Sequence, residues 1–401
     1  MQEINLTSVI NAQRTLKGII KRTPLNHSAT FSKMIGCEVY CKYENLQKAG
    51  SFKIRGAYNK IANLKEHNRK KGVIAVSTGN HAQGVALAAT LHQIPATIVM
   101  PKGAPIPKIQ ATKDYGGEIV IHGEGFEEAY NKAKELERSR DLTLIHAFDD
   151  PFVVAGQGTI GLEILEDLPE VDVILCPIGG GGLISGIATV IKAKNPNTRI
   201  IGVQTKKMDS TYRSFKAGSL ISTERGYTIA DGIAIKSPSA FTFSMIKALV
   251  DDIVVVDEEE IARAILLLLE RCKAAVEGAG AVSLAALLHR NVVHHGDKVV
   301  LILSGGNIDI TMVSKIITQG LIKAGRYAEA HVLIEDKSDL LVNLLGIIAE
   351  LEVNIIKIDF DRNSPRIPYN FVVVKLALET KSFEHSISCL NEIKKHYTLY
   401  E

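Results

Sequence analysis

Short apolar runs alternate with longer helical patterns along most of this chain. From about residue 38 to about residue 323, runs such as "GVIAVS", "ATIVMP", "DVILCPI" and "KVVLILS" are typical of buried strands, and segments such as "NHAQGVALAATLHQ" and "EEEIARAILLLLERCK" carry apolar residues at helical spacing. Strands that alternate with helices form parallel sheets, because a parallel pair needs a long crossover connection. The pattern therefore predicts an α/β fold, and several strands end in glycine-bearing loops, where open α/β sheets bind ligands.

The last 75 or so residues follow a different order. "EAHVLIED", "SDLLVNLLGIIAELE", "VNIIKIDFDR", "YNFVVVKLALET" and "SFEHSISCLNEIKKH" predict β-α-β-β-α, and "YTLYE" predicts a short final strand. This is the ferredoxin-like order. We predict a first domain over residues 1–323, a linker near residues 322–330 and a second domain over residues 327–401.

Composition excludes several classes of protein. The 401 residues carry a formal charge of +3 and no dense basic stretch interleaved with aromatic residues, so a nucleic-acid partner is not expected. The five cysteines are scattered and lack metal-ligand spacing, which favours reduced thiols and no metal site. "VDVILCPIGGGGLISGIATVI" has the length of a membrane span, but Asp172, Pro177 and four glycines favour strand, loop and helix. We expect a cytoplasmic protein without a membrane partner.

A lysine that follows two small residues and a phenylalanine is the first candidate catalytic group. In "ENLQKAGSFKIRGA", Lys53 follows Gly50, Ser51 and Phe52. Desolvation lowers the pKa of a lysine, and a neutral amine is a nucleophile. The alternative is a surface lysine at the start of a helix, the usual setting for an isolated lysine.

A run of four glycines is the second candidate. "IGGGGL" follows the apolar strand "VDVILCP" and precedes a helical pattern, so its backbone amides can converge on a phosphate. The run matches neither GxGxxG nor the Walker pattern, which disfavours dinucleotides and nucleoside triphosphates. The alternative is a flexible turn.

Two further strand ends carry polar residues. "STGNHAQG" offers hydroxyl and amide donors at a helix start, suited to a carboxylate, although Ser, Thr and Asn also serve as helix caps. "LILSGGNIDI" places a serine where it can face a bound ring, although alone it is a turn. A desolvated lysine, a phosphate cradle, a carboxylate site and a strand-end serine together suit pyridoxal phosphate.

The same blocks resemble a known family. "SFKIRGA", "STGNHAQG", "AGQGTIGLEI", "PIGGGGLISG", "EGAGA" and "SGGNID" are similar, in the same order, to blocks of the threonine/serine dehydratases, or threonine ammonia-lyases, of the fold-type-II pyridoxal-phosphate enzymes. The resemblance covers roughly residues 5–323. It implies two open twisted α/β subdomains like those of the tryptophan synthase β-subunit, with a small subdomain at about residues 44–148 inserted in the large one. The C-terminal segment resembles an ACT regulatory domain.

The resemblance implies a role for each matched residue. Lys53 would form the Schiff base and take the α-proton of the substrate, and Ser304 would face the pyridine nitrogen. The remaining cofactor contacts would be Phe52, Asn80, Gly179, Gly180, Gly181, Gly182 and Glu277. The substrate carboxylate would lie among Ser77, Thr78, Gly79, Asn80 and His81.

These residues imply an elimination. A neutral serine holds the pyridine nitrogen protonated less well than an aspartate does, which favours prompt loss of a β-substituent over transamination. In the family, the cofactor phosphate is the proposed proton donor to the departing hydroxyl. L-threonine would give 2-oxobutanoate and ammonia, and L-serine would give pyruvate and ammonia as a side activity.

Three positions depart from the family pattern. Ala49 stands where a threonine or serine commonly precedes Gly-Ser-Phe-Lys. Gln204 stands where the serine racemase relatives have a divalent-metal glutamate, which argues against a metal site. Glu352 stands where a glycine commonly ends the first helix of an ACT domain and contributes to its effector site.

Other functions stay open at this stage. Racemisation or β-replacement on the same cofactor is the second hypothesis, and a non-catalytic amino-acid sensor is the third. The sequence leaves open the preference between threonine and serine, a biosynthetic or catabolic role, an amino-acid or nucleotide effector, and a homodimer or homotetramer.

Overall fold

The computed structural model describes residues 4–224 and 226–400, which fall into two compact units, Met1–Asp309 and Ile310–Glu401. The first unit contains the predicted alternation of strands and helices. Its strands are β1 (Leu25–His27), β2 (Glu38–Lys42), β3 (Val73–Val76), β4 (Ala96–Met100), β5 (Glu118–Ile121), β6 (Thr143–Leu144), β7 (Val173–Pro177), β8 (Arg199–Thr205), β9 (Asp252–Val256) and β10 (Lys298–Ile302).

Helices connect these strands. They are α1 (Leu6–Leu16), α2 (Ala29–Ile35), α3 (Lys53–Ala62), α4 (Glu66–Lys71), α5 (Asn80–Leu91), α6 (Ile106–Asp114), α7 (Phe126–Ser139), α8 (Pro151–Asp167), α9 (Gly182–Lys194), α10 (Ser210–Ala217), α11 (Ala240–Leu249), α12 (Glu258–Cys272) and α13 (Gly278–His289). Three single turns of 3₁₀ helix lie at Glu44–Leu46, Lys48–Gly50 and Asp231–Ile233.

Two parallel sheets organise the first unit, as the alternation predicts. The larger has the order β1-β2-β10-β7-β8-β9, in which only the β1–β2 pair is antiparallel. The smaller has the order β5-β4-β3-β6 and is parallel throughout. It lies within the predicted inserted segment at about residues 44–148.

One predicted strand is shorter than its apolar run. "LTLIHA" continues to Ala147, but β6 pairs with β3 only at Thr143 and Leu144. The ring Nδ1 of His146 accepts hydrogen bonds from the backbone N–H groups of Phe148, at 3.3 Å, and Asp149, at 2.8 Å. These bonds turn the chain away from the sheet, so the local side-chain acceptor ends the strand.

The second unit has the predicted β-α-β-β-α-β order. After α14 (Ile310–Lys323) come β11 (Tyr327–Glu335), α15 (Ser338–Glu350), β12 (Asn354–Asp361), β13 (Phe371–Glu379), α16 (Phe383–His396) and β14 (Thr398–Leu399). The strands form one antiparallel sheet of order β12-β13-β11-β14. The division at residue 309 places α14 in this unit, whereas the sequence predicts a boundary after residue 323. Glu352, just after α15, has φ 53°, the left-handed conformation that favours glycine.

No helix within residues 4–224 and 226–400 combines the length and the apolar character required to cross a bilayer.

Candidate active site

Three strand-end segments and one helix start of the first unit meet around Lys53. The backbone N–H of Phe52 donates to the carbonyl oxygen of Ser304 at 3.1 Å, and Ser51 forms an isolated bridge with Gly305. The Asn80 amide lies against the carboxylate of Glu277. The segments after β2, β3 and β10, together with the start of α13, therefore form one site, which the sequence predicted from separate motifs.

Lys53 is the first residue of α3, and its amine lies among buried groups. Nζ is 3.3 Å from the carbonyl oxygen of Ala147 and 5.0 Å from the centre of the Phe52 ring. Burial lowers the pKa of Lys53 from its ordinary 10.5 to about 8, although the nearby Glu277 carboxylate acts to raise it. A fraction of the amine is therefore neutral near neutral pH, as a nucleophile or a base requires.

A buried ion network lies behind Lys53. Arg55, fully buried, donates from Nε and Nη2 to both oxygens of Glu44 at 2.8 and 2.7 Å, and from Nη1 to Glu163 at 2.6 Å. Lys42 donates to the other oxygen of Glu163 at 2.6 Å. Because two cations face two carboxylates, the buried charges balance and their hydrogen bonds are satisfied. The network holds the first turn of α3, which carries Lys53.

Helix α8, the "AGQGTIGLEI" block, packs between α3 and α9 through its glycines. A methyl group on Gly156 would lie 2.6 Å from the carbonyl oxygen of Arg55, and one on Gly158 would lie 2.7 Å from the carbonyl oxygen of Gly186. The absence of side chains lets the helix backbones approach this closely. Helix α8 thus fixes the spacing between Lys53, at the start of α3, and the glycine run, at the start of α9.

The glycine run lies between β7 and α9, as predicted. The hydroxyl of Thr242 donates to the carbonyl of Gly180 at 2.7 Å, and that of Thr211 donates to the carbonyl of Gly179 at 3.2 Å. Within the described residues, the N–H groups of Gly179, Gly180 and Gly181 make no backbone hydrogen bond. The carbonyls are therefore engaged while the amides stay available to an anion at the N-terminus of a helix.

The segment at Ala147 and Phe148 connects Lys53 with the glycine run. The Ala147 carbonyl contacts the Lys53 amine, and a methyl group on Gly180 would lie 2.3 Å from atoms of the Phe148 ring. Two adjacent residues thus contact the candidate nucleophile and the candidate phosphate cradle, which places both around one cleft.

A chain of side-chain hydrogen bonds crosses the site. Asn307 donates to Oδ1 of Asn80 at 2.7 Å, and Nδ2 of Asn80 donates to Oε1 of Glu277 at 2.6 Å. Burial raises the pKa of Glu277 to about 7, and the charge of Asp231 raises it further, whereas the bond from Asn80 lowers it. Glu277 can therefore hold or release a proton near neutral pH.

The loop Ser77–His81 leads into helix α5, whose N-cap residue is Gly79 and whose first turn has no side-chain cap. The Ser77 hydroxyl accepts from the backbone N–H of Gly79 at 3.1 Å, and a methyl group on Gly79 would meet nothing within 4 Å. The His81 ring instead contacts the carbonyl of Ile145 at 2.8 Å, and burial lowers the pKa of this histidine to about 3, with a smaller contribution from the Lys53 charge. The structure therefore does not show the helix cap that the sequence offered as an alternative, and it leaves open space at Gly79, where the loop meets the helix.

Two serines beside Lys53 are buried. Ser304 is 3% exposed, and its hydroxyl makes no hydrogen bond to another described residue. The Ser51 hydroxyl is fully buried without a partner among the same residues. Buried hydroxyls that lack partners are costly, and they are found where a bound molecule completes the bonding.

The structure adds residues that the sequence interpretation missed. Lys108 on α6 pairs with Asp231 at 2.6 Å, and Asp231 is one of the charges that act on Glu277. Asn307 and Thr242 also contact predicted site residues. Asn307 was within the quoted "SGGNID" block, but Lys108 and Asp231 are far apart in the sequence and carried no local signal.

Gln204 lies behind the glycine run, to which it is connected through the Thr211 hydroxyl. It is fully buried, and its amide accepts from the N–H of Tyr212 at 3.0 Å and donates to the Thr211 hydroxyl at 3.4 Å. Within residues 4–224 and 226–400, no cluster of three or more His, Cys, Asp or Glu side chains has the arrangement of a metal site.

Comparison with known proteins places this site in context. A family model described as "Pyridoxal-phosphate dependent enzyme" matches residues 16–305. The L-threonine ammonia-lyase of Thermotoga maritima is 50% identical over 382 residues, which are 95% of each chain. The Escherichia coli K12 protein named "L-threonine dehydratase catabolic TdcB" is 45% identical over 315 residues, which are 78% of this chain and 96% of that protein. Maize serine racemase superposes with a TM-score of 0.76 and 38% identity, covering 80% of this chain and 99% of the racemase.

Proposed function

The chain belongs to the pyridoxal-phosphate-dependent enzymes, and from that premise we propose that it is an L-threonine ammonia-lyase, which converts L-threonine to 2-oxobutanoate and ammonia. One observation carries the proposal. A desolvated lysine amine and a glycine run with available amides contact adjacent residues of one segment, Ala147 and Phe148. The similarity to an L-threonine ammonia-lyase over 95% of both chains supports the choice of reaction.

The residues of the site fit the cofactor. The available amides of the glycine run suit its phosphate, the unpartnered Ser304 hydroxyl suits its ring nitrogen, and the Lys53 amine suits its aldehyde. When bound, pyridoxal phosphate withdraws electrons from the α-carbon of the amino acid and so makes the α-proton acidic. Phe52 and Asn80 would lie beside the ring, and Glu277 would orient Asn80 through the 2.6 Å hydrogen bond.

The α-proton and the substrate carboxylate each have candidate partners in the site. The Lys53 amine, whose pKa is lowered to about 8, would accept the α-proton. The donors of Ser77, Thr78, Gly79, Asn80 and His81 at the start of α5 would hold the substrate carboxylate. The burial of Lys53 and Glu277 excludes water, which strengthens these interactions.

Substrate assays test the proposal directly. We expect the cofactor-loaded protein to release 2-oxobutanoate from L-threonine and, more slowly, pyruvate from L-serine. Chiral analysis of the serine that remains tests the alternative reaction, racemisation, because maize serine racemase has a similar fold. Formation of D-serine without a 2-oxo acid would assign racemisation instead, and binding of threonine without turnover would assign a sensor.

The rate of covalent cofactor loading should follow the ionisation of Lys53. Only the neutral amine attacks an aldehyde, so loading of the cofactor-free protein should rise with pH and be half-maximal near pH 8. Loading is followed by absorbance, and the parallel reaction of Nα-acetyl-lysine corrects for titration of the cofactor. Since Glu277 raises the pKa of Lys53, Glu277→Gln should move the midpoint to lower pH. A midpoint near that of the free lysine derivative would contradict a desolvated Lys53.

A methyl group in the glycine run should weaken cofactor binding. In Gly180→Ala the new Cβ would lie 2.3 Å from the Phe148 ring, so the ring or the loop must move. Overpacking costs about 1–3 kcal/mol, and a cost of that size in the bound state is roughly a 5-fold to 150-fold rise in the Kd for pyridoxal phosphate. Gly103→Ala is the matched control, because a methyl group there meets nothing within 4 Å. Equal affinity of the two variants for pyridoxal phosphate would show that the glycine run does not bind the cofactor phosphate.

We infer further that residues 327–401 form an ACT-like regulatory domain and are dispensable for the reaction. The apolar core of the second unit, from Ala328 to Ile393, shares no residue with those of the first. The E. coli relative aligns with only 78% of this chain. A chain ending at Arg326 should therefore stay folded, bind pyridoxal phosphate and deaminate L-threonine.

The same truncated chain tests regulation. Assays across threonine concentration, with and without isoleucine, valine or a nucleotide, should show that any effector response of the full chain is lost. A folded, cofactor-bound but inactive truncated chain would make the C-terminal segment part of the active unit. Retained inhibition would assign the effector site to the first unit.

A further inference from the structure

Two cysteines that are distant in sequence lie side by side in the first unit. Cys41 is on β2 and fully buried, whereas Cys272 is the last residue of α12 and only partly buried. The side chains of Cys41, Tyr43 and Ser28 act on the ionisation of the Cys272 thiol, so they lie close to it, and Tyr43 lines the same cavity as Cys272. This arrangement pairs an accessible sulfur with a second sulfur directly behind it.

A cavity of about 380 Å³ gives access to Cys272. Its lining includes Tyr43, Asn45, Cys272, Lys273 and Asn307. Oδ1 of Asn45, a residue that is 8% exposed, has no hydrogen-bond partner among the described residues. The cavity is therefore large enough to admit a small oxidant to the Cys272 sulfur, and it contains a polar atom free to accept a hydrogen bond from that oxidant.

The surroundings distinguish Cys272 from the other cysteines. The hydrogen bond from Cys41 and, against the effect of burial, that from Tyr43 lower the pKa of Cys272 to about 6. Burial raises the pKa of Cys37, Cys176 and Cys389 instead. A thiolate that solvent can reach and that touches a second thiol has the arrangement of redox-responsive cysteine pairs.

We propose that Cys272 and Cys41 form a peroxide-responsive pair that closes reversibly into a disulfide. The Cys272 thiolate attacks the terminal oxygen of a hydroperoxide, the O–O bond breaks, and the sulfur becomes a sulfenic acid. The other oxygen leaves as an alkoxide or hydroxide and takes from solvent the proton that Cys272 gave up on ionisation, which forms an alcohol or water. The Cys41 thiol then attacks the Cys272 sulfur, the S–O bond breaks, and the departing hydroxide takes the Cys41 proton to form water. Two thiols lose two electrons, and the hydroperoxide gains them.

The Cys41–Cys272 disulfide would act on two segments that contain residues of the candidate site and of the buried ion network. Cys41 lies just before Lys42 and Glu44 of the buried ion network, and Cys272 lies five residues before Glu277. These segments already touch, since Nδ2 of Asn45 donates to the carbonyl of Ala275 at 3.0 Å. The two sulfurs must come within about 2.05 Å of each other in a disulfide, which strains the two segments that carry them. We therefore expect lower turnover in the oxidised protein.

The primary test is chemical and needs no enzyme assay. The full-length, cofactor-loaded protein is treated with hydrogen peroxide, free thiols are blocked, and non-reduced peptides are identified by mass spectrometry. We expect a Cys41–Cys272 linked peptide that dithiothreitol removes. Cys272→Ser should abolish it, Cys41→Ser should leave a sulfenic acid on Cys272 that dimedone traps, and Cys176→Ser should change nothing.

Alkylation of the wild-type protein tests the same pair without a substitution. The iodoacetamide reaction of Cys272 should be half-maximal near pH 6 and should precede that of Cys176. Turnover lost on oxidation should return with dithiothreitol and should not be lost in Cys272→Ser. The proposal is overturned if peroxide leaves Cys272 reduced, if it joins a different pair, or if Cys272 alkylates only at the pH of an ordinary thiol.

Discussion

Replacing Lys53 with alanine is expected to lower the turnover of L-threonine by at least about 10³-fold while leaving the protein folded. One amine is proposed to bind the cofactor aldehyde and to accept the α-proton, and acid–base catalysis alone contributes about 10²–10⁴-fold. The variant should still bind pyridoxal phosphate through the glycine run, but borohydride should no longer attach the cofactor to the protein. Release of 2-oxobutanoate and the mass of the borohydride-treated chain are the two measurements.

Lys53→Arg is the matched control for charge. Arginine keeps the cation but is not deprotonated in proteins, so it cannot act as the neutral nucleophile or base. We expect both variants to lose turnover, and added ethylamine to restore part of it only in Lys53→Ala, where truncation leaves room for a small amine. Substantial activity in either variant, without added amine, would refute the assignment of Lys53.

Replacing Arg55 with leucine is expected to lower the free energy of unfolding by about 3–5 kcal/mol, since it leaves the buried carboxylates of Glu44 and Glu163 with only Lys42 for compensation. Arg22 is the matched control. It also faces two carboxylates, Glu166 and Asp167, but its side chain is 52% exposed. Such surface pairs contribute about 0–1 kcal/mol, so Arg22→Leu should change stability little.

Urea denaturation of the two variants provides the comparison. If Arg55→Leu fails to fold, the milder Glu163→Gln, which keeps the shape of the side chain, should still be less stable than Glu166→Gln. If Arg55→Leu lowered the free energy of unfolding as little as Arg22→Leu does, the buried ion network would contribute no more to stability than a surface pair.

Local sequence patterns were sufficient to predict the helices and strands and many of the candidate site residues. The alternation of apolar runs and helical spacing predicted the parallel sheets of the first unit and the β-α-β-β-α-β order of the second. The motifs at strand ends predicted Lys53, the glycine run and Ser304 as candidate site residues, because the carboxyl ends of neighbouring parallel strands open on the same edge. These inferences need only the residues within one strand, turn or helix start.

Some local features were interpreted only in part. Ala49 departs from the family pattern, and the structure shows that it has φ 57° and that its carbonyl accepts a hydrogen bond from Asn307 at 2.9 Å. Burial of Lys42 was also hidden, because a lysine at a strand end is usually exposed. In both cases the sequence shows a residue type, whereas a partner elsewhere in the chain sets its environment.

The sequence by itself therefore determined the fold class, the family and the chemical groups of the site, since periodicity and motif spacing act over short distances along the chain. Only the tertiary structure decided which distant residues share an environment: Arg55 with Glu163, Lys108 with Asp231, and Cys41 with Cys272. The physical reason is that burial and electrostatic interaction depend on separation in space. The same residue types are exposed and ordinary until folding excludes water from around them and brings an opposite charge or a second thiol within reach.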